Sequence, residues 1–74
     1  MMVKPLPQPV YEIRVRGVLQ GVLLDAFPAL SGVVQGGDTV LTGELPDQAA
    51  LHGVLSQIES LGLELLALHQ VSVP

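Results

Sequence analysis

His52 and His69 are the two imidazoles of the chain, and with Glu44 or Asp47 they are the residues from which a transition-metal site would have to be built. Counting back from Gly62, ten helical residues cover about 15 Å, and seven strand residues on its other side cover about 23 Å. Both rings can therefore sit at one end of the domain. Such a site needs three or four converging ligands. Two histidines with no supporting motif do not supply them, so no metal and no other cofactor is expected. Ser31, Ser56, Ser60 and Ser72 are possible nucleophiles, but none lies in a strand-turn-helix elbow or beside an oxyanion-forming glycine motif, and the chain has no cysteine. Gly17, Gly21, Gly36 and Gly37 do not spell a dinucleotide or phosphate-loop fingerprint. Glu12, Glu44 and Glu64 could do acid and base work if they flanked a cleft, yet they read more simply as solvating charges. No catalytic set emerges, and the expectation is a protein that is not an enzyme.

Composition shifts the weight from chemistry to surfaces. With 74 residues there is room for one two-layered domain, and a chain this short buries only about 60% of the surface it exposes when unfolded. A core of that size seldom contributes more than about 3–5 kcal/mol, so dense aliphatic packing, oligomerisation or both must supply the rest. Charged residues are 14% of the chain and hydrophobic ones 49%, against a usual charged share of about 25%. Too little polar surface remains to cover a small monomer. Lys4, Arg14 and Arg16 stand against seven carboxylates, which leaves no electrostatic footprint for a phosphate backbone, and nucleic acid is not an expected partner. A membrane is not expected either. Gln20, Asp25, Pro28 and Glu64 break the apolar runs before a spanning length of about 20 residues, and no basic amphipathic face exists. No signal peptide's apolar core opens the sequence, so the expected location is the cytoplasm.

The elements that must position these side chains follow from periodicity. Residues 1–9 form an arm in which Pro5, Pro7 and Pro9 favour extended backbone and forbid a helix; residues 10–72 form a single domain. From Val10 to Arg16 polar and apolar residues alternate as in a strand with one buried face, Tyr11, Ile13 and Val15 pointing inward. Val18 to Phe27 place Leu19, Val22, Leu23, Ala26 and Phe27 on one stripe of a weak helix, uncapped, interrupted by Gly21 and stopped by Pro28. Leu30–Gln35 and Thr39–Leu45 read as a hairpin around Gly36, Gly37 and Asp38. Asp47 caps a second helix whose apolar stripe is Leu51, Val54, Leu55, Ile58 and Leu61. Gly62 suits the left-handed position after its last turn, with Leu63 folding back onto Ile58. Leu63–Val71 then reads as a fourth strand. The order strand, helix, strand, strand, helix, strand predicts an α+β ferredoxin-like split sandwich (βαββαβ), a four-stranded antiparallel sheet with two helices on one face.

Two surfaces of that fold are candidates for contact. Opposite the apolar stripe of the second helix lie Ala49, Gly53, Ser56 and Ser60, small residues where a solvated helix would normally show Lys and Glu. Either another backbone approaches this face or it is merely solvated through its serines. On the open side of the sheet, Glu12, Arg14 and Arg16 are expected near Val40 or Leu41 and near Leu66 and Leu68. That is a mixed apolar and charged surface suited to sheet-to-sheet dimerisation, to a shallow site for an acidic small molecule, or to nothing beyond solvation. An RNA-binding sheet would stack bases on aromatics, and Tyr11 and Phe27 are the only aromatics in the chain.

The run LTGELPDQAALHGVLSQIESLGLELLAL from Leu41 to Leu68, with YEIRVRG from Tyr11 to Gly17, resembles a group of short bacterial proteins. DQAALHG and LGLELL are its most recognisable words. The resemblance implies the coarse topology and carries no catalytic residue across. The layout is also similar to ACT-type regulatory domains, which implies an alternative role as a small-ligand sensor, with a site at a subunit interface near Gly17 and Gly21, where a loop could offer free amides. Fold alone does not decide function. The expectation is a cytoplasmic, self-associating binding or regulatory module, a homodimer with a possible further protein partner.

Overall fold

The structure is a computed structural model that describes residues 9–71. The alternating segment is strand β1, Val10–Val15, with Tyr11, Ile13 and Val15 buried and Val10, Glu12 and Arg14 half-buried on the other face. Strands β2, Ser31–Gln35, and β3, Asp38–Glu44, form the hairpin. Gly36 and Gly37 turn it with φ of 58° and 86°, positive at both central positions as a type I′ turn demands, which is why a glycine pair sits there. β1 pairs antiparallel with β3 on one side and with β4, Leu65–Val71, on the other, giving the order β2-β3-β1-β4. The architecture is α+β, an open four-stranded antiparallel sheet with two helices.

Helix α2, Gln48–Ser60, is defined at both ends by side-chain and backbone capping. The Asp47 carboxylate accepts from the Ala50 amide at 2.8 Å, satisfying one of the first-turn donors that a helix leaves unpaired. At the other end Gly62 takes φ of 73°, its N–H donating to Glu59, while the Leu63 N–H donates to Ile58. These two bonds make a Schellman cap, and Leu63 packs against the core as that motif requires. Leu51 and Ile58 are buried, with Val54 and Leu55 partly so, against the Tyr11, Ile13 and Leu41 face of the sheet.

The first helix is much shorter than the stripe from Val18 to Phe27 predicts. Helix α1 is the single turn Val22–Asp25, preceded by Gly21 at φ 55° and lacking any side-chain cap. Leu19 and Phe27, the two ends of the supposed stripe, are buried from loop positions, while Val22 is 84% exposed. Two strand glycines explain how so little helix still covers the sheet. A Cβ on Gly32 would stand 2.6 Å from Leu24, and one on Gly43 would stand 2.5 Å from the Ala29 carbonyl oxygen. The segment around α1 therefore lies directly on the backbone of β2 and β3. The proline arm falls outside the described residues except for Pro9, whose carbonyl accepts from the Leu45 amide at 3.1 Å.

Candidate functional site

On the open face of the sheet, β1 presents Val10, Glu12 and Arg14. Arg14 reaches across β3 to Asp38 at 3.4 Å and to the Gln35 side-chain oxygen at 3.1 Å. Val40, flanked by Arg14 and Val33, is only 4% exposed although no helix covers it. Its burial by neighbouring side chains is consistent with the arginine stem lying over apolar surface while its head stays polar. Glu12 stands between Thr42 and His69. Arg16 lies beyond the strand, where it meets Glu64 at 3.0 Å with both side chains largely exposed, a pair worth at most about 1 kcal/mol.

Of the two leucines placed with this face, Leu68 does not share it and Leu66 has no partner on β1. Leu68 is opposite Ile13, on the helix side, because a register shift between Arg14 and Val15 leaves Leu66 as the extra residue of a bulge. The open face is therefore more polar than the sequence suggests, and its β4 contribution is Ala67, His69 and Val71. His52 lies on α2 and His69 on the opposite side of the sheet, so the histidines do not meet. No group of three or more His, Cys, Asp or Glu side chains able to hold a metal occurs among the described residues.

Two amides of the loop from Gly17 to Gly21 are already engaged within the fold. The Gly17 N–H donates to Asp38 at 3.3 Å, and the Leu19 N–H donates to the Thr39 hydroxyl at 2.9 Å. Thr39 in turn donates to the Gly17 carbonyl at 2.8 Å. Asp38 thus holds both Arg14 and Gly17, and the loop is locked to the start of β3.

On α2 the predicted small face is exposed at Ala49, Gly53, Ser56 and Ser60, and nothing lies within 4 Å of a Cβ built on Gly53. Beside it is a groove that the sequence did not reveal, about 360 Å³ in volume, between α2 and the segment from Ala26 to Leu30. Phe27, Leu30, Leu45 and Val54 line it, and Gln57 is the one polar side chain in its wall. A ligand site of this kind normally has several converging polar groups to fix orientation, and this one has a single amide. Pro28 after Phe27, opposite a mid-helix glycine, is the only signal in the sequence that could have indicated it.

No helix of the described residues is long and apolar enough to cross a membrane. The family model described as "Domain of unknown function (DUF8691)" matches residues 10–69. No curated protein and no solved structure matches the chain.

Proposed function

Because the chain belongs to the DUF8691 family, whose description assigns no activity, we propose from the geometry that it is a small cytoplasmic self-associating module. Its layout reads as a ferredoxin-like split sandwich. The support for that layout is the strand order β2-β3-β1-β4, with α2 and the α1 segment packed on the same Tyr11, Ile13 and Leu41 face. The observation that carries the functional reading is the surface. Val18, Val22, Val33, Val34, Leu61, Leu65, Leu66, Leu68 and Val71 are all exposed, in a chain that carries few charges to solubilise them. Four of them, Leu65, Leu66, Leu68 and Val71, lie together on β4, and grouped apolar exposure, unlike single scattered residues, marks a contact. The sensor alternative, placed near Gly17 and Gly21, would have to do without the Gly17 amide, which already donates to Asp38.

Light scattering after size exclusion, over a hundredfold range of concentration, tests this proposal. A mass twice that of the 7.8 kDa chain is expected at the upper end. A mass of one chain throughout would reject self-association.

A further inference from the structure

We infer that the outer edge of β4 is the surface through which two copies of this chain join, strand to strand and antiparallel about a two-fold axis. This rests on the self-association proposed above and names its site. β4 is the terminal strand of the sheet, and among the described residues no strand pairs with its outer side. Its backbone there is a row of donors and acceptors with no ladder partner. Proteins usually blunt such an edge with Lys, Pro, inward charges or a short strand. β4 has seven residues and contains no Lys, Arg, Asp, Glu, Pro or Gly. Its one irregularity, the bulge at Leu66, is confined to the start, so Ala67–Val71 pair regularly with β1.

Both sides of the strand are open as well. Leu65, Leu66, Leu68 and Val71 are each 38–44% exposed, with Leu68 on the helix side and Val71 on the open side. A neighbouring strand would cover apolar side chains on both faces while completing the ladder. The occupant that fits is a second copy of the same edge. The strand itself carries no charge, so two chains of net charge −4 would meet there without juxtaposed carboxylates. The other edge, β2, is a shorter strand of five residues that includes Gly32. Pairing β4 with the β2 of another copy would be heterologous and would build a ring or a filament, whereas β4 against β4 closes as a dimer.

The absence of cysteine makes the test clean. Single substitutions Leu66→Cys, Ala67→Cys, Leu68→Cys, His69→Cys and Gln70→Cys, with Ser56→Cys on α2 as comparison, are oxidised mildly in the full chain. Antiparallel self-pairing brings a residue next to its own copy only at the two-fold axis. One step away along the strand, the copies move apart by two residues, about 7 Å along the strands, beyond the reach of a disulfide. The expected result is a cross-linked dimer at one position of β4, with little at the rest and little at Ser56→Cys. Leu68→Lys, exposed enough to be tolerated in the monomer, is expected to raise the dimer dissociation constant at least tenfold with the far-ultraviolet circular dichroism unchanged.

A wild-type dimer that cross-links at Ser56→Cys and not along β4 would overturn the edge assignment and leave self-association standing. A wild-type monomer would overturn both. If the β4 amides of that monomer that point away from β1 resisted hydrogen exchange, the cover would be another segment of the same chain.

Discussion

Thr39 is 1% exposed and makes two hydrogen bonds to the loop before α1, accepting from Leu19 and donating to Gly17. Valine has nearly the same shape and neither function, so Thr39→Val leaves a buried amide without an acceptor. The expected cost is about 1–3 kcal/mol, read from urea unfolding, with Thr39→Ser recovering most of it. A loss no larger than a few tenths would mean that water replaces the hydroxyl. The sequence shows Thr39 as the start of a strand and no more, because the groups it holds lie some twenty positions earlier in the chain. The same remoteness hides Gly32 and Gly43. Nothing near them in sequence distinguishes a glycine that receives Leu24 or the Ala29 carbonyl from one that merely weakens a strand. Gly53 is the opposite case, since its missing side chain meets open space. Gly53→Ala is expected to add about 1 kcal/mol of stability through helix propensity without changing the dimer mass. Gly43→Ala is expected to destabilise, and thermal melts of the two variants in parallel would show the contrast.

Elements whose instructions are local were legible, and those whose geometry depends on distant packing were not. α2 carries its own start and stop in Asp47 and Gly62, and the β2–β3 turn carries its own in Gly36 and Gly37; the structure has all of them where the residues indicate. Asp47→Ala is expected to cost about 1 kcal/mol, measurable by thermal melting, because the Ala50 amide loses its acceptor. α1 was over-read. Leu19, Val22, Leu23, Ala26 and Phe27 have helical spacing, but Leu19 and Phe27 reach the core from loops, so the period arose without a helix beneath it. The side of β4 on which Leu68 lies was misjudged because side-chain direction along a strand reverses at every residue. One bulge at Leu66 uncouples any count made from the Gly62 turn.

At the scale of the whole molecule, the charge balance separates the possible interfaces. Two copies joined through ion pairs such as Arg14 with Glu12 would dissociate as salt screens them. Two copies joined through an uncharged β4 edge carry only the repulsion of their net charges of −4, which salt relieves. The dissociation constant is therefore expected to stay level or fall between low salt and 0.5 M sodium chloride on the Debye-screening scale, as followed by sedimentation. A marked weakening would point to the charged face instead. The α+β class and the antiparallel four-stranded sheet were legible at this scale; the uncovered edge was not, since exposure depends on how far α2 and the α1 segment extend over the sheet. The strand order has one more consequence, which concerns time. β1 comes first in the described chain yet lies inside the sheet, and its outer side is completed only by β4, the last strand, with Val10 opposite Val71. Only the β2–β3 hairpin joins near neighbours in sequence, so most of the ladder closes by long-range encounters, which slow folding. β1, β2 and β3 can pair among themselves, but the fourth place in the sheet is filled last. Until β4 has been synthesised, β1 waits with one edge bare, and any aggregation during synthesis would begin there.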